Sequence, residues 1–167
     1  MYFAFEYFIG DLYNALYVLF YETTSQYFYI SELCWYTAYL FMIFLMIHFL
    51  KEEPFKRESR LQLLIPVFTV TMGIVFYVRN GDLAGNIVSV LIMTLAIWLV
   101  VNGLVRGRNK PFYAVCLVLI ILEYSMWISS SFYWPGDTIG NPYFWFDTLF
   151  SISLIGLVPG VGKAVSE

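Results

Sequence analysis

Apolar residues fall along the chain in runs of about 20, the length a helix needs to cross roughly 30 Å of hydrocarbon. Four such runs cover 30–50, 61–78, 83–105 and 112–134. A fifth, 142–162, carries Asp147 near its start and Pro159 near its end, which predicts a last turn that is broken or lies at the interface. The first segment, 1–21, is mostly Phe, Tyr, Leu, Val and Ile but is interrupted by Glu6, Asp11 and Asn14, so it either spans or lies on the surface. It lacks the basic start and small-residue cleavage site of a signal peptide and is expected to be retained. The pattern predicts an all-α, polytopic integral membrane bundle of five to six transmembrane helices, forming a single transmembrane domain over 1–167.

The polar residues between the runs set the expected orientation. Of the nine Lys and Arg residues, Lys51, Lys56, Arg57 and Arg60 fall in the loop 51–60, Arg106, Arg108 and Lys110 in the loop 106–110, and Lys163 near the C-terminus. The alternate loops, 22–29, 79–82 and 135–141, hold Arg79 alone. Cytoplasmic loops carry an excess of basic residues, so the loops 51–60 and 106–110 and the C-terminus are expected inside. Composition agrees with the membrane reading: 60% of residues are hydrophobic and 13% charged, against about a quarter charged in soluble domains. A soluble enzyme, a disordered tail and a nucleic-acid binder are excluded on these grounds, and the net charge of -3 offers nothing to a phosphate backbone. The expected location is a prokaryotic cytoplasmic membrane.

Cys34 and Cys116 lie inside apolar runs and read as small buried hydrophobes rather than as a disulfide or zinc set. His48 is the one histidine, near the inner end of its run, and reads as an interfacial residue. One peripheral histidine leaves no nucleophile and base pair and no metal site, so neither enzyme activity nor a cofactor is expected.

Aromatic residues gather towards the outer half: Trp35, Trp127, Trp134 and Trp145 with Tyr27, Tyr29, Tyr36, Tyr133 and Tyr143, leaving Trp98 towards the inner end. They form either an interfacial belt or a ring-lined pocket opening outward. There is also an internal echo. Asp11 precedes Tyr21 by ten residues, and Glu123 precedes Tyr133 by ten. After an outer loop, Tyr27, Phe28 and Tyr29 lead to Glu32 and then Trp35, just as Tyr143, Phe144 and Trp145 lead to Asp147 and then Phe150. The echo makes 1–21 the counterpart of a spanning helix, which favours six spans.

The stretches Ser31-Glu32-Leu33-Cys34-Trp35-Tyr36-Thr37-Ala38-Tyr39-Leu40 and Leu122-Glu123-Tyr124 through Trp134-Pro135-Gly136 to Phe146-Asp147-Thr148-Leu149-Phe150 carry a resemblance. An acid within one helix, an outer loop with Pro and Gly, and an acid followed three residues later by an aromatic resemble the multi-pass membrane input modules of bacterial and archaeal histidine kinases and diguanylate cyclases. The likeness covers most of 11–158. It implies a sensor acting through a signalling partner or through a cytoplasmic output domain, since only 160–167 follow the last span here.

Glu123 is the leading candidate for function, because a carboxylate at the centre of a span costs about 2.5–3.5 kcal/mol and must face protein or water. Its helical stripe holds Met126, Trp127, Ser130, Ser131 and Trp134 and is expected to turn inward. No Lys or Arg lies near the midplane to pair with it, so a neutral carboxyl is expected unless water or a cation reaches it. Thr69, Thr71, Asn86, Ser89 and Ser151 are polar residues that neighbouring spans could offer. Three readings stay open: a hydrogen bond across helices to Ser, Thr or a carbonyl, a ligand or sensing site, and a proton or ion pathway. Glu32 and Asp147 begin helices, where the dipole favours an acid, and Arg79 with Asp82 reads as an exposed loop pair. Glu32, Asp147, Asp82 and Asp137 nonetheless make any outward cavity electronegative, suited to cations over aromatic rings. The expected ligand-binding set is Glu123, Asp147, Glu32, Trp35, Trp127 and Trp145. Expected partners are the lipid bilayer, a signalling partner, a small cationic ligand or proton, and a second copy of the chain. A small proton- or cation-coupled transporter is the alternative.

Overall fold

Hydrocarbon offers backbone amides no partner, so a chain of this composition satisfies them within each segment as helix. The computed structural model describes residues 2–21, 30–51, 53–57, 60–131 and 139–166. Among them are six α-helices and no strand: α1 Tyr2–Tyr21, α2 Ile30–Leu50, α3 Leu64–Asn80, α4 Leu83–Arg106, α5 Lys110–Ser130 and α6 Pro142–Ser166. Four of these, α2, α4, α5 and Pro142–Lys163 of α6, are long and apolar enough to cross a membrane, and α3 is a shorter apolar helix. The chain is therefore an all-α integral membrane bundle.

The helix ends shift by a few residues from the hydrophobic runs, and two of the differences have a clear local form. The run at 61–78 opens as a 3-10 turn, Arg60–Leu63, before α3 begins. Pro159 does not break α6, which continues helical to Ser166. A proline removes one N–H and crowds one carbonyl, and so close to a helix end few later bonds depend on either. The expected loop 22–29 and residues 132–138 lie outside the described residues, and with them Tyr27, Tyr29, Tyr133, Trp134 and Asp137.

The turn between α3 and α4 is the tightest connection. Gly81 sits at φ +77°, a left-handed conformation natural to glycine, and its N–H bonds to the Tyr77 carbonyl at 2.8 Å. The Asp82 carboxylate then caps α4, accepting from the Gly85 N–H at 3.0 Å. At the other end of the bundle Asn109 caps α5, accepting from the Phe112 N–H at 3.4 Å, while its Nδ2 donates to the Gly160 carbonyl of α6 at 2.8 Å.

Helix α1 packs on α2, α2 on α4, α4 on α3 and α5, and α5 on α6. The two segments of the internal echo thus become two packed pairs, α1 with α2 and α5 with α6. Alternating chain direction runs α1 parallel to α5 and α2 parallel to α6. Gly10 lets α1 approach α2 closely, since a Cβ there would meet the Trp35 indole at 2.7 Å. The core is built from Tyr39, Met42 and Met46 of α2, Met93, Leu99 and Val100 of α4, and Phe112, Tyr113, Leu119 and Ile120 of α5. Polar bonds between helices accompany this packing: Thr69 with Thr94 at 2.6 Å, and the Tyr113 hydroxyl donating to the Met46 carbonyl at 3.0 Å. Large apolar side chains are exposed on the outside, Ile152, Ile155 and Val158 of α6 among them, as a lipid-facing surface requires.

Candidate functional site

Glu123 lies near the middle of α5 and is 2% exposed. The Tyr7 hydroxyl of α1 donates to its Oε2 at 2.6 Å, and the Tyr39 hydroxyl of α2 donates to the same oxygen at 3.2 Å. Trp127, one turn along α5, adds a further interaction with the carboxyl. Three helices far apart in sequence therefore converge on one acid. The Tyr7 ring is itself held against Phe150 of α6, with centroids 4.6 Å apart, so the contact reaches a fourth helix.

This carboxyl forms the floor of a cavity of about 190 Å³. The mouth is at the α3–α4 turn, where Asn80 and Asp82 line it, and the walls are Glu32, Trp35 and Tyr36 of α2, Phe76 of α3, Asn86 and Ser89 of α4, and Trp127 and Ser130 of α5. Glu32, Asp82 and Glu123 are carboxylates, five of the other lining residues are aromatic, and among the described residues no Lys, Arg or His lines the cavity. The Tyr36 hydroxyl donates to the Gly85 carbonyl at 3.1 Å and accepts from Ser89 at 3.2 Å, which fixes its ring in the wall. Phe76 meets Trp127 edge to face at 5.8 Å. Near the mouth Arg79 donates to the Ser131 carbonyl at 2.5 Å, and this bond fastens the end of α3 to the end of α5.

Four of the expected site residues, Glu123, Glu32, Trp35 and Trp127, line this cavity, and Asp147 and Trp145 do not. Both of the latter sit on α6, which lies outside α5 and away from the cavity walls. Trp145 is half exposed and its indole donates to the Ile139 carbonyl at 2.8 Å. Asp147 is half-buried beside α1, close enough to Asp11 for their charges to interact. The stripe expected to turn inward does so in part: Met126 is buried, Trp127 and Ser130 line the cavity, Ser131 ends α5, and Trp134 is outside the described residues. Asn86 and Ser89 also line it, whereas Thr71 is turned away, donating to the Val67 carbonyl. Arg79 bonds to the Ser131 carbonyl at the end of α5, and Asp82 caps the start of its own helix, α4. His48 is exposed at the end of α2, edge-on to Phe49.

Sequence reasoning missed Tyr7 and Tyr39, because a tyrosine in an aromatic-rich apolar run looks like lipid-facing surface. A faint signal existed for Tyr7: Phe3, Tyr7 and Gly10 share one face of α1 and are its buried residues. A second polar contact was also missed. The Trp35 indole donates to Asp11 of α1 at 3.0 Å, so a ring of the cavity wall is held from behind by α1. Comparison with protein-family models, with curated proteins and with solved structures gives no match.

Proposed function

We propose that the chain is a membrane-embedded sensory module that binds a small organic cation in the cavity above Glu123 and passes the event to a signalling partner. The observation that carries this reading is the buried Glu123 carboxyl at the floor of a cavity whose lining combines acids with aromatic rings and holds no basic side chain among the described residues. An ammonium group fits such a lining by Coulomb attraction to the carboxylates and by contact with the ring faces, each stronger where water is excluded. With the basic loops inside, the mouth at the α3–α4 turn faces outward.

The same acid supplies the output. A cation at Glu123 competes with the Tyr7 and Tyr39 hydroxyls for the carboxylate, and Tyr7 ties α1 to that oxygen and to Phe150. Loosening these bonds shifts the balance between two packings of α1 and α6 against the core, and the inner ends of the helices carry the change onward.

Thermal unfolding in lipid nanodiscs with tetramethylammonium, potassium and no added cation tests the reading. Stabilisation by tetramethylammonium that disappears in Glu123→Gln supports it. Stabilisation that persists in Glu123→Gln places the cation elsewhere. Uptake of the cation into proteoliposomes, abolished by the same substitution, would replace the sensor with a transporter.

A further inference from the structure

The chain gathers its basic residues at the end of the bundle opposite the cavity mouth. Helix α2 closes at Leu50, and Lys51, at φ +55°, turns the backbone off the helix axis. Pro54 then takes the second place of a tight turn, where its ring presets φ, and the Lys56 N–H donates to the Glu53 carbonyl at 3.3 Å. The same carbonyl accepts from the Arg106 guanidinium at the end of α4. This second bond fastens the loop to α4 and leaves Phe55, Lys56 and Arg57 exposed.

Three more exposed basic residues come to the same end. Arg60 opens the 3-10 turn before α3, which packs antiparallel on α4; Arg108 lies between α4 and α5, and Lys110 begins α5. The stretch 106–110 holds Arg106, Arg108 and Lys110 and no acid. Among the described residues Glu53 is the one acid at this end, and Glu52 and Glu58 of the same loop lie outside them. The mouth end is the reverse, with Glu32 and Asp82 at the cavity.

Each basic stretch also borders exposed apolar side chains. Leu63 and Leu64 follow Arg60 towards the middle of the bundle, Val105 precedes Arg106, and Phe55 sits at the tip of the turn beside Lys56 and Arg57. Hydrocarbon takes the apolar residues, while the long stems of Lys and Arg carry their charges to the level of lipid phosphates. We propose that this end of the bundle binds anionic phospholipids, with Lys56, Arg57, Arg60, Arg108 and Lys110 on the head groups and Phe55 among the first acyl carbons. The occupant is a bilayer lipid rather than an acidic protein segment, because the charges form the rim of a lipid-facing apolar surface. Arg106 holds the loop pair, Lys56 and Arg57, at the end of α4, two residues from Arg108, so head groups meet a fixed set of charges. The proposal does not depend on the cation reading of Glu123.

The test is native mass spectrometry of the protein from micelles holding equal amounts of dioleoylphosphatidylglycerol and dioleoylphosphatidylcholine, which share acyl chains and differ in head-group charge. Two paired variants, Lys56→Gln with Arg57→Gln and Arg108→Gln with Lys110→Gln, remove exposed charge and spare Arg106. Equal melting temperatures in phosphatidylcholine nanodiscs verify that they keep the fold. The unaltered chain is expected to retain phosphatidylglycerol about fivefold over phosphatidylcholine, and each pair to lower that ratio about twofold or more. In about 1 M ammonium acetate, which screens charges beyond about 3 Å, the ratio is expected to approach one. This salt measurement uses the unaltered chain alone and decides the matter if a pair weakens the fold. Equal retention of the two lipids by the unaltered chain overturns the proposal, as does a preference that salt or both pairs leave unchanged. Equal lipid retention together with capture of hexaglutamate would give this surface to an acidic protein segment instead.

Discussion

The Tyr7 hydroxyl donates to Glu123 across 2.6 Å, joining the first helix to the fifth over 116 residues of chain. A short bond from a phenol to a buried carboxyl is among the stronger neutral-to-acid hydrogen bonds, of about 1.5–3 kcal/mol in water-soluble proteins, though bonds between membrane helices average nearer ~0.6 kcal/mol. Tyr7→Phe keeps the ring against Phe150 and removes only the donor. It is expected to lower stability by about 1 kcal/mol in unfolding experiments in micelles, and Tyr39→Phe, whose bond is 3.2 Å, by less. A larger loss in Tyr39→Phe would reverse the assigned order of the two donors.

Trp35 belongs to the cavity wall on one side and to Asp11 on the other. Asp11→Ala removes the acceptor without touching the cavity. The indole, freed from α1, is expected to change its fluorescence and to weaken tetramethylammonium binding a few-fold, although Asp11 never meets the ligand. Unchanged binding would show that α1 plays no part in shaping the wall.

Close helix packing gives a prediction distant from the site. A Cβ at Gly103 of α4 would meet the Tyr113 ring of α5 at 2.1 Å, and that ring is fully buried with its hydroxyl bonded to Met46 of α2. Gly103→Ala is expected to cost about 1–3 kcal/mol by overpacking, although alanine is the better helix former. The double variant Gly103→Ala with Tyr113→Phe, which frees the ring from its hydrogen bond, is expected to recover little, since the clash is with the ring itself.

Asn109 performs two tasks at once, capping α5 and fastening α6 through the Gly160 carbonyl. Asn109→Ser keeps a capping oxygen and loses the reach to Gly160, whereas Asn109→Ala loses both. Proteolytic susceptibility of the α6 end is expected to rise in both variants, and unfolding stability to fall further in the second, by about 1 kcal/mol for the cap.

The spans were legible because the bilayer imposes one length on every crossing segment, and an isolated Glu123 in such a run announced a buried acid. What it bonds to was not legible. Residue types that pair with an acid were sought among Ser, Thr and cations, and the partners are Tyr7 and Tyr39, whose side chains pass for lipid-facing aromatics until the helices are assembled. Asp147 and Trp145 join the expected set because both lie towards the outer half, where acids and rings gather. They lie on α6, beside α5, while the cavity is enclosed by α2, α3, α4 and α5. Position along a helix shows depth in the membrane, but which neighbour a face meets depends on the order of packing, which no local pattern encodes.

Calorimetric titration of tetramethylammonium into nanodiscs carrying the unaltered chain and Glu123→Gln tests most directly the proposal that Glu123 holds a cation. Glutamine keeps the shape and an acceptor oxygen for the tyrosines, so the fold is expected to survive. Saturable binding that weakens at least tenfold in Glu123→Gln is the predicted result. Equal binding by the two proteins, or none by a folded unaltered chain, would contradict the account.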